Sequence, residues 1–139
     1  MLTTIEKVLA LKSVDLFERI AGEDLAGIST ITELVSFDNG ETIFEQGEIG
    51  DSMYVILDGL VRVHRGERVI AELGAGECIG EMAVLDSSPR SASVTCLGET
   101  TCLRLGREDF SDLLTEKPEI ARGVIRVLVR RLRSALDRG

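Results

Sequence analysis

The sequence contains no tryptophan, one tyrosine, one histidine and two prolines in 139 residues. Each shortage removes a class of function. The lone His64 cannot supply the imidazole cluster that a borderline metal needs in a cupin-type site. It also leaves no Cys/His pair with a plausible base, and no G-x-S-x-G nucleophile elbow is present. The cysteines, Cys78, Cys96 and Cys102, are odd in number and lack C-x-x-C spacing, so no zinc or dithiol motif is formed. Their apolar, strand-like surroundings predict buried, reduced thiols. No apolar run is long enough to span a bilayer, and charges are scattered through the first 17 residues. No membrane insertion and no signal peptide are therefore expected, and the expected location is cytoplasmic. There is no internal repeat and no low-complexity linker.

Positive charge is also scarce. The 16 Lys and Arg face 24 Asp and Glu, a net charge of −8, which argues against direct nucleic-acid binding. The imbalance is uneven. Residues 119–139 hold six arginines against two carboxylates, a net of +4, so the first 118 residues carry −12. A basic C-terminal segment on an acidic body suits packing onto that body or onto an acidic partner.

What is present reads as one domain: helical over 1–34, β-rich over 35–105, helical again over 107–138. Residues 3–20 and 22–34 carry apolar residues at helical spacing. From residue 35 the period changes to short runs at 34–37, 42–45, 53–57, 60–64, 68–73, 93–97 and 101–105, separated by glycine-containing turns. That spacing predicts a β-sandwich or jelly-roll barrel. Asp58-Gly59 and His64–Glu67 read as hairpin connections. A short helix over 107–115 precedes a longer one from Pro118, with Ile120, Val124, Val127, Leu128, Leu132 and Leu136 on one face and arginines on much of the other.

Between two apolar runs lies GECIGEMAVLDSSPRSASV, residues 76–94. The run from Gly80 to Leu85 is long enough for about one turn of helix, whose N-terminus would favour an anion. Gly80 permits close backbone approach. Arg90 offers a fork of donors matched to phosphate oxygens, Ser91 adds a hydroxyl, and Ala92 and Ser93 leave room. Glu81 would repel an anion, but it accepts well from a neighbouring hydroxyl such as a ribose 2′-OH. The residue types together suggest a nucleotide with one compact negative charge and a free ribose hydroxyl.

This stretch resembles the phosphate-binding cassette of cyclic-nucleotide-binding domains, the regulatory domains of the catabolite-activator and protein-kinase-A regulatory-subunit type. The match runs through Ile79-Gly80-Glu81-Met82-Ala83-Val84-Leu85 and Pro89-Arg90-Ser91-Ala92-Ser93-Val94, with Ile79 where the family often has an aromatic. The segment from Phe44 to Ile56, Gly59, and Leu16-Phe17 with Leu25 are similar as well. The resemblance covers essentially the whole chain. It implies a mainly β fold with flanking α-helices: an eight-stranded antiparallel jelly-roll barrel with N-terminal helices and C-terminal lid helices. It implies a regulatory module that is not an enzyme, needs no metal or cofactor, and takes cAMP or cGMP as ligand. In that reading Glu81 and the Gly80 backbone hold the ribose hydroxyl. Arg90 pairs with the cyclic phosphate, and the N–H groups of Ala83 and Ser91 complete its shell beside Ala92. Val63, Leu73 and Met82 face the base or ribose, and the helix after Pro118 closes as a lid. The arginine face of that helix reads on its own residues as a solvated face or a partner surface, with Arg130 or Arg133 reaching the nucleotide as a further alternative. In the family a threonine after the cassette arginine goes with cGMP and an alanine with cAMP; Ser91 lies between, and the reading leans to cAMP. A fused or separate output domain is expected, with a homodimer through the C-terminal helix as a further expectation. Two alternatives stay open here: a degenerate domain of this fold acting as a protein scaffold, and the sensory part of a transcription regulator, transporter or channel.

Overall fold

The computed structural model describes residues 2–138. Helix α1, Thr4–Lys12, starts at a reciprocal capping box. The Glu6 N–H donates to Thr3 Oγ1 and the Thr3 N–H donates to Glu6 Oε1, both at 3.1 Å. The helical pattern over 3–20 is not one helix. Ser13 Oγ donates to the Ala10 carbonyl at 2.6 Å, capping the last turn, and the chain re-forms as a 3-10 turn, Asp15–Phe17. The break turns Leu11, Val14, Leu16 and Phe17 into the core together. Helix α2, Gly22–Ser29, also stops short of residue 34. Thr30 caps it through Gly27 O, and the β-branched stretch that follows opens strand β1, Thr32–Phe37.

Seven further strands follow: β2 (Thr42–Phe44), β3 (Ser52–Asp58), β4 (Leu60–Arg65), β5 (Arg68–Gly74), β6 (Cys78–Ile79), β7 (Ser93–Cys96) and β8 (Thr100–Gly106). They form two antiparallel sheets of four, β1-β8-β3-β6 and β2-β7-β4-β5. Among the described residues no ladder joins the two sheets, so the barrel expected from the sequence is an open sandwich. The β4–β5 hairpin forms as predicted, with Gly66 at φ +57° between Arg65 and Arg68. The Asp58-Gly59 step does not make a hairpin, because β3 and β4 lie in different sheets. Gly59, at φ +111°, carries the chain across where a Cβ would stand 2.6 Å from Thr100 Oγ1 and 2.7 Å from Glu99 O.

Strand β3 explains its unbroken apolar sequence, because both of its faces are covered. Met53 and Val55 face a core built with the helices, where the rings of Phe17 and Phe110 lie 5.7 Å apart. Tyr54 and Ile56 face the sandwich interior beside Phe44, Val94, Cys96 and Cys102. All three cysteines are free thiols, and burial pushes Cys102 up to about 12. Helix α3, Arg107–Glu116, and helix α4, Pro118–Arg138, complete the chain. The buried line of α4, Ile120, Gly123, Val124 and Val127, packs it against the 3-10 turn at Asp15–Phe17 and against α3.

Candidate functional site

The stretch from Gly80 to Ala92 carries the chain from β6 in one sheet to β7 in the other. Its first part is a single 3-10 turn of four residues, Glu81–Val84, in place of the helix start read from the sequence. Its return limb is stitched to the loop before β3. Gly47 N–H donates to Arg90 O at 2.9 Å, Arg90 N–H to Glu48 O at 2.7 Å, and Ile49 bridges Pro89. These bonds fix the backbone on both sides of the one residue, among those described, whose charge is buried.

That residue is Arg90, 8% exposed. Its Nη2 donates to the Ser52 carbonyl at 2.7 Å, and its Cζ lies 3.9 Å over the Phe44 ring centroid. Its Nη1 is buried and has no acceptor. Burial lowers the pKa of this arginine. The guanidinium is walled by residues with no bulk: a Cβ on Gly80, which sits at φ +71°, would run into Arg90 Nη1, and one on Gly50 would lie 2.9 Å from Arg90 Cζ. The slot therefore depends on two glycines packed on one cation.

Glu81 stands next to it with both carboxylate oxygens engaged. Oε2 accepts from the Cys78 thiol at 3.0 Å, and Oε1 lies 3.3 Å from Arg131 Nη1. Burial, reinforced by the Glu81 charge, pushes the Cys78 thiol up, so it stays a proton donor to Glu81. The same Arg131 donates through Nε and Nη2 to Asp15 Oδ2, at 3.0 and 2.7 Å. Its hydrogen bond holds the Asp15 carboxyl below the usual carboxylate range.

All nine residues read from the sequence, Val63, Leu73, Gly80, Glu81, Met82, Ala83, Arg90, Ser91 and Ala92, line one cavity of about 360 Å³. That volume lies in the range of small-molecule sites, roughly 300–1,000 Å³. Three details differ from the sequence reading. The Ala83 N–H is already committed to Gly80 O at 3.0 Å. No residue of α4 lines the cavity. The arginine of α4 that reaches the site is Arg131, while Arg130 pairs with Asp15 and Glu18. The signal for Arg131 was available, since it lies seven and four residues beyond the buried Val124 and Val127 and so projects from the inward face. Phe44 carried no such signal, because its partner Arg90 lies far along the chain; Cys78 was missed although its partner Glu81 is only three residues on.

A second cavity, about 420 Å³, is lined by Val84 and Leu85 together with Arg107, Ser111 and Leu114 of α3.

The chain is 36% identical over 130 residues to the cyclic AMP receptor protein of Thermus thermophilus, covering 90% of this chain and 60% of that one. It is 36% identical over 117 residues to the cAMP-dependent protein kinase regulatory subunit of Dictyostelium discoideum, covering 78% and 34%. It thus spans less than two thirds of the length of these curated relatives. The N-terminal domain of a transcriptional regulator from Streptomyces coelicolor A3(2) superposes with a TM-score of 0.86 at 34% identity, covering 92% of this chain and 93% of that one. Residues 34–117 match the profile described as "Cyclic nucleotide-binding domain", and the chain belongs to that family.

Proposed function

We propose that this domain binds cAMP in the cavity beside Arg90 and that it binds without catalysing a reaction. The observation that carries the reading is the orphaned Nη1 of Arg90. A buried donor without a partner costs about 1–3 kcal/mol, and buried polar groups without partners are rare. A phosphate oxygen supplies the missing acceptor and the countercharge together once the guanidinium turns out toward the cavity that Arg90 lines. Glu81 beside it accepts from the ribose hydroxyl, and Val63, Leu73 and Met82 offer apolar surface to the base. Preference for cAMP over cGMP is supported by the names of the two curated relatives. Titration calorimetry with the two nucleotides tests it; the expected result is tighter binding of cAMP.

The Glu81 role has its own test. Glu81→Gln is expected to weaken cAMP by roughly tenfold, the loss of one hydrogen bond to a charged acceptor. Wild-type protein is expected to lose a similar factor for 2′-deoxy-cAMP. The variant and the deoxy ligand together should cost little more than either alone, because both remove the same contact. Additive losses would place the ribose elsewhere.

Ligand binding becomes a signal only if the bound state favours another arrangement of the helices. Tightening of the cassette turn would repack Val84 and Leu85 against α3, with which they share the lining of the second cavity. In this reading α4 then moves over the occupied cavity, and an output domain, fused or separate, senses that movement.

The outward face of α4 fits a second copy of the chain. Ile125, Val129, Leu132 and Leu136 are exposed and spaced 4-3-4, the seam of a coiled coil. Arg126 and Arg133 flank one side of the seam, with Leu128 and Ala135 on the other. Parallel pairing sets the arginines against Leu128 and Ala135, whereas antiparallel pairing would set arginine against arginine. Leu132→Asp is expected to convert a dimer to a monomer in sedimentation experiments, with cAMP binding per chain retained. A wild-type protein that is monomeric at high concentration would remove this part of the reading.

A further inference from the structure

The last buried residue of α4 is Val127, and Leu128 is partly buried against the helical core. Beyond it, Leu132 and Leu136 are exposed. Among the described residues, the hydrogen bonds and ion pairs tying this half of the helix to the body come from Arg130 and Arg131. Arg130 Nη2 donates to Asp15 Oδ1 at 3.0 Å and pairs with Glu18. Arg131 takes the other oxygen of Asp15, reaches Glu81 with Nη1, and lies 3.8 Å from the sulfur of Met82. Asp15 thus receives both arginines, and it is rigidly mounted, because the adjacent Leu16 and Phe17 are fully buried.

One guanidinium therefore spans a fixed carboxylate on the N-terminal 3-10 turn and the acid of the cavity wall. We infer that Asp15 is a positioning residue that acts through Arg131: it clasps the C-terminal half of α4 beside the cavity and opposes the movement of that half over it. The inference rests on the proposed closure of α4 over bound cAMP. As long as Asp15 holds both arginines, α4 cannot swing toward Met82 without breaking the three N–H···O bonds to that carboxylate. A protein that must first release a contact binds with an apparent affinity reduced by the fraction released. The groups are partly exposed, where such pairs are individually weak, so the clasp is expected to change affinity severalfold and not by orders of magnitude.

The test compares wild type with Asp15→Asn, a neutral isostere at a surface position. Calorimetry is expected to show cAMP bound about three- to tenfold more tightly by Asp15→Asn, and tighter still after Glu18→Gln is added. Unchanged or weaker binding by Asp15→Asn overturns the inference. A second readout needs no nucleotide. In protein labelled at the methionine methyls, Asp15→Asn is expected to shift the Met82 resonance and to leave that of the core residue Met53 in place. A stationary Met82 signal overturns the clasp whatever the titrations show. If neither protein binds cAMP, the ligand reading falls, and the Met82 signal alone decides whether Asp15 positions Arg131.

Discussion

Arg90→Ala is expected to bind cAMP at least about a hundredfold more weakly than wild type, with the sandwich still folded. Removing one partner of a buried, hydrogen-bonded charge pair costs roughly 3–5 kcal/mol, and every 1.4 kcal/mol or so is tenfold in affinity. The fold survives because the lost side chain was itself a poorly satisfied buried cation. Its bond to the Ser52 carbonyl and its contact with the Phe44 ring are lost, but so is the cost of an unpartnered Nη1. Arg90→Lys separates charge from geometry. A lysine carries the charge but not the fixed fork that holds Ser52 O with one nitrogen and leaves the other for the ligand. It is expected to fall between wild type and alanine. Near-wild-type calorimetric affinity for Arg90→Ala would remove the site assignment.

The second large effect is expected at a residue that contacts nothing with a side chain of its own. Gly80→Ala places a Cβ at φ +71°, where an L-residue is strained by about 1–2 kcal/mol. That Cβ also meets Arg90 Nη1 and stands 3.2 Å from the Ser52 carbonyl. The guanidinium must leave its slot, so cAMP binding is expected to fall by about as much as in Arg90→Ala, and thermal stability falls as well. The double variant separates the two causes. With Arg90 truncated the main collision is gone, so Gly80→Ala should destabilise the Arg90→Ala protein less than it destabilises wild type. Equal losses in melting temperature in both backgrounds would mean that strain alone, and not the packing of glycine on arginine, fixes this residue.

The sequence revealed the parts of this molecule whose physics is local. Seven strands announced themselves through turn residues and period. Of the nine cavity residues, Gly80, Glu81, Arg90, Ser91 and Ala92 were legible from their chemistry in one stretch, whereas Val63, Leu73, Met82 and Ala83 followed only from the family resemblance. Strand β6 was not legible, since two residues carry no period. The Asp58-Gly59 step has the local sequence of a hairpin, but the crowding of Gly59 against Glu99 and Thr100 belongs to a crossing between sheets. Residues 3–20 have a helical period throughout, but α1 ends at Ser13, whose hydroxyl and N–H both bond back to the last turn, and Val14 is extended. The Asp15–Arg131–Glu81 link joins residues 50 or more positions apart. The sequence showed a basic helix face and an acidic body, but which arginine meets which acid depends on the rotation of α4, which Ile120, Val124 and Val127 set by burial.

The most direct measurement is a calorimetric titration of the purified, folded chain with cAMP near neutral pH. Saturable binding of one nucleotide per chain, lost in Arg90→Ala, is the expected result. A folded wild-type sample that gives no saturable heat with cAMP, or one whose binding is indifferent to Arg90, would contradict it.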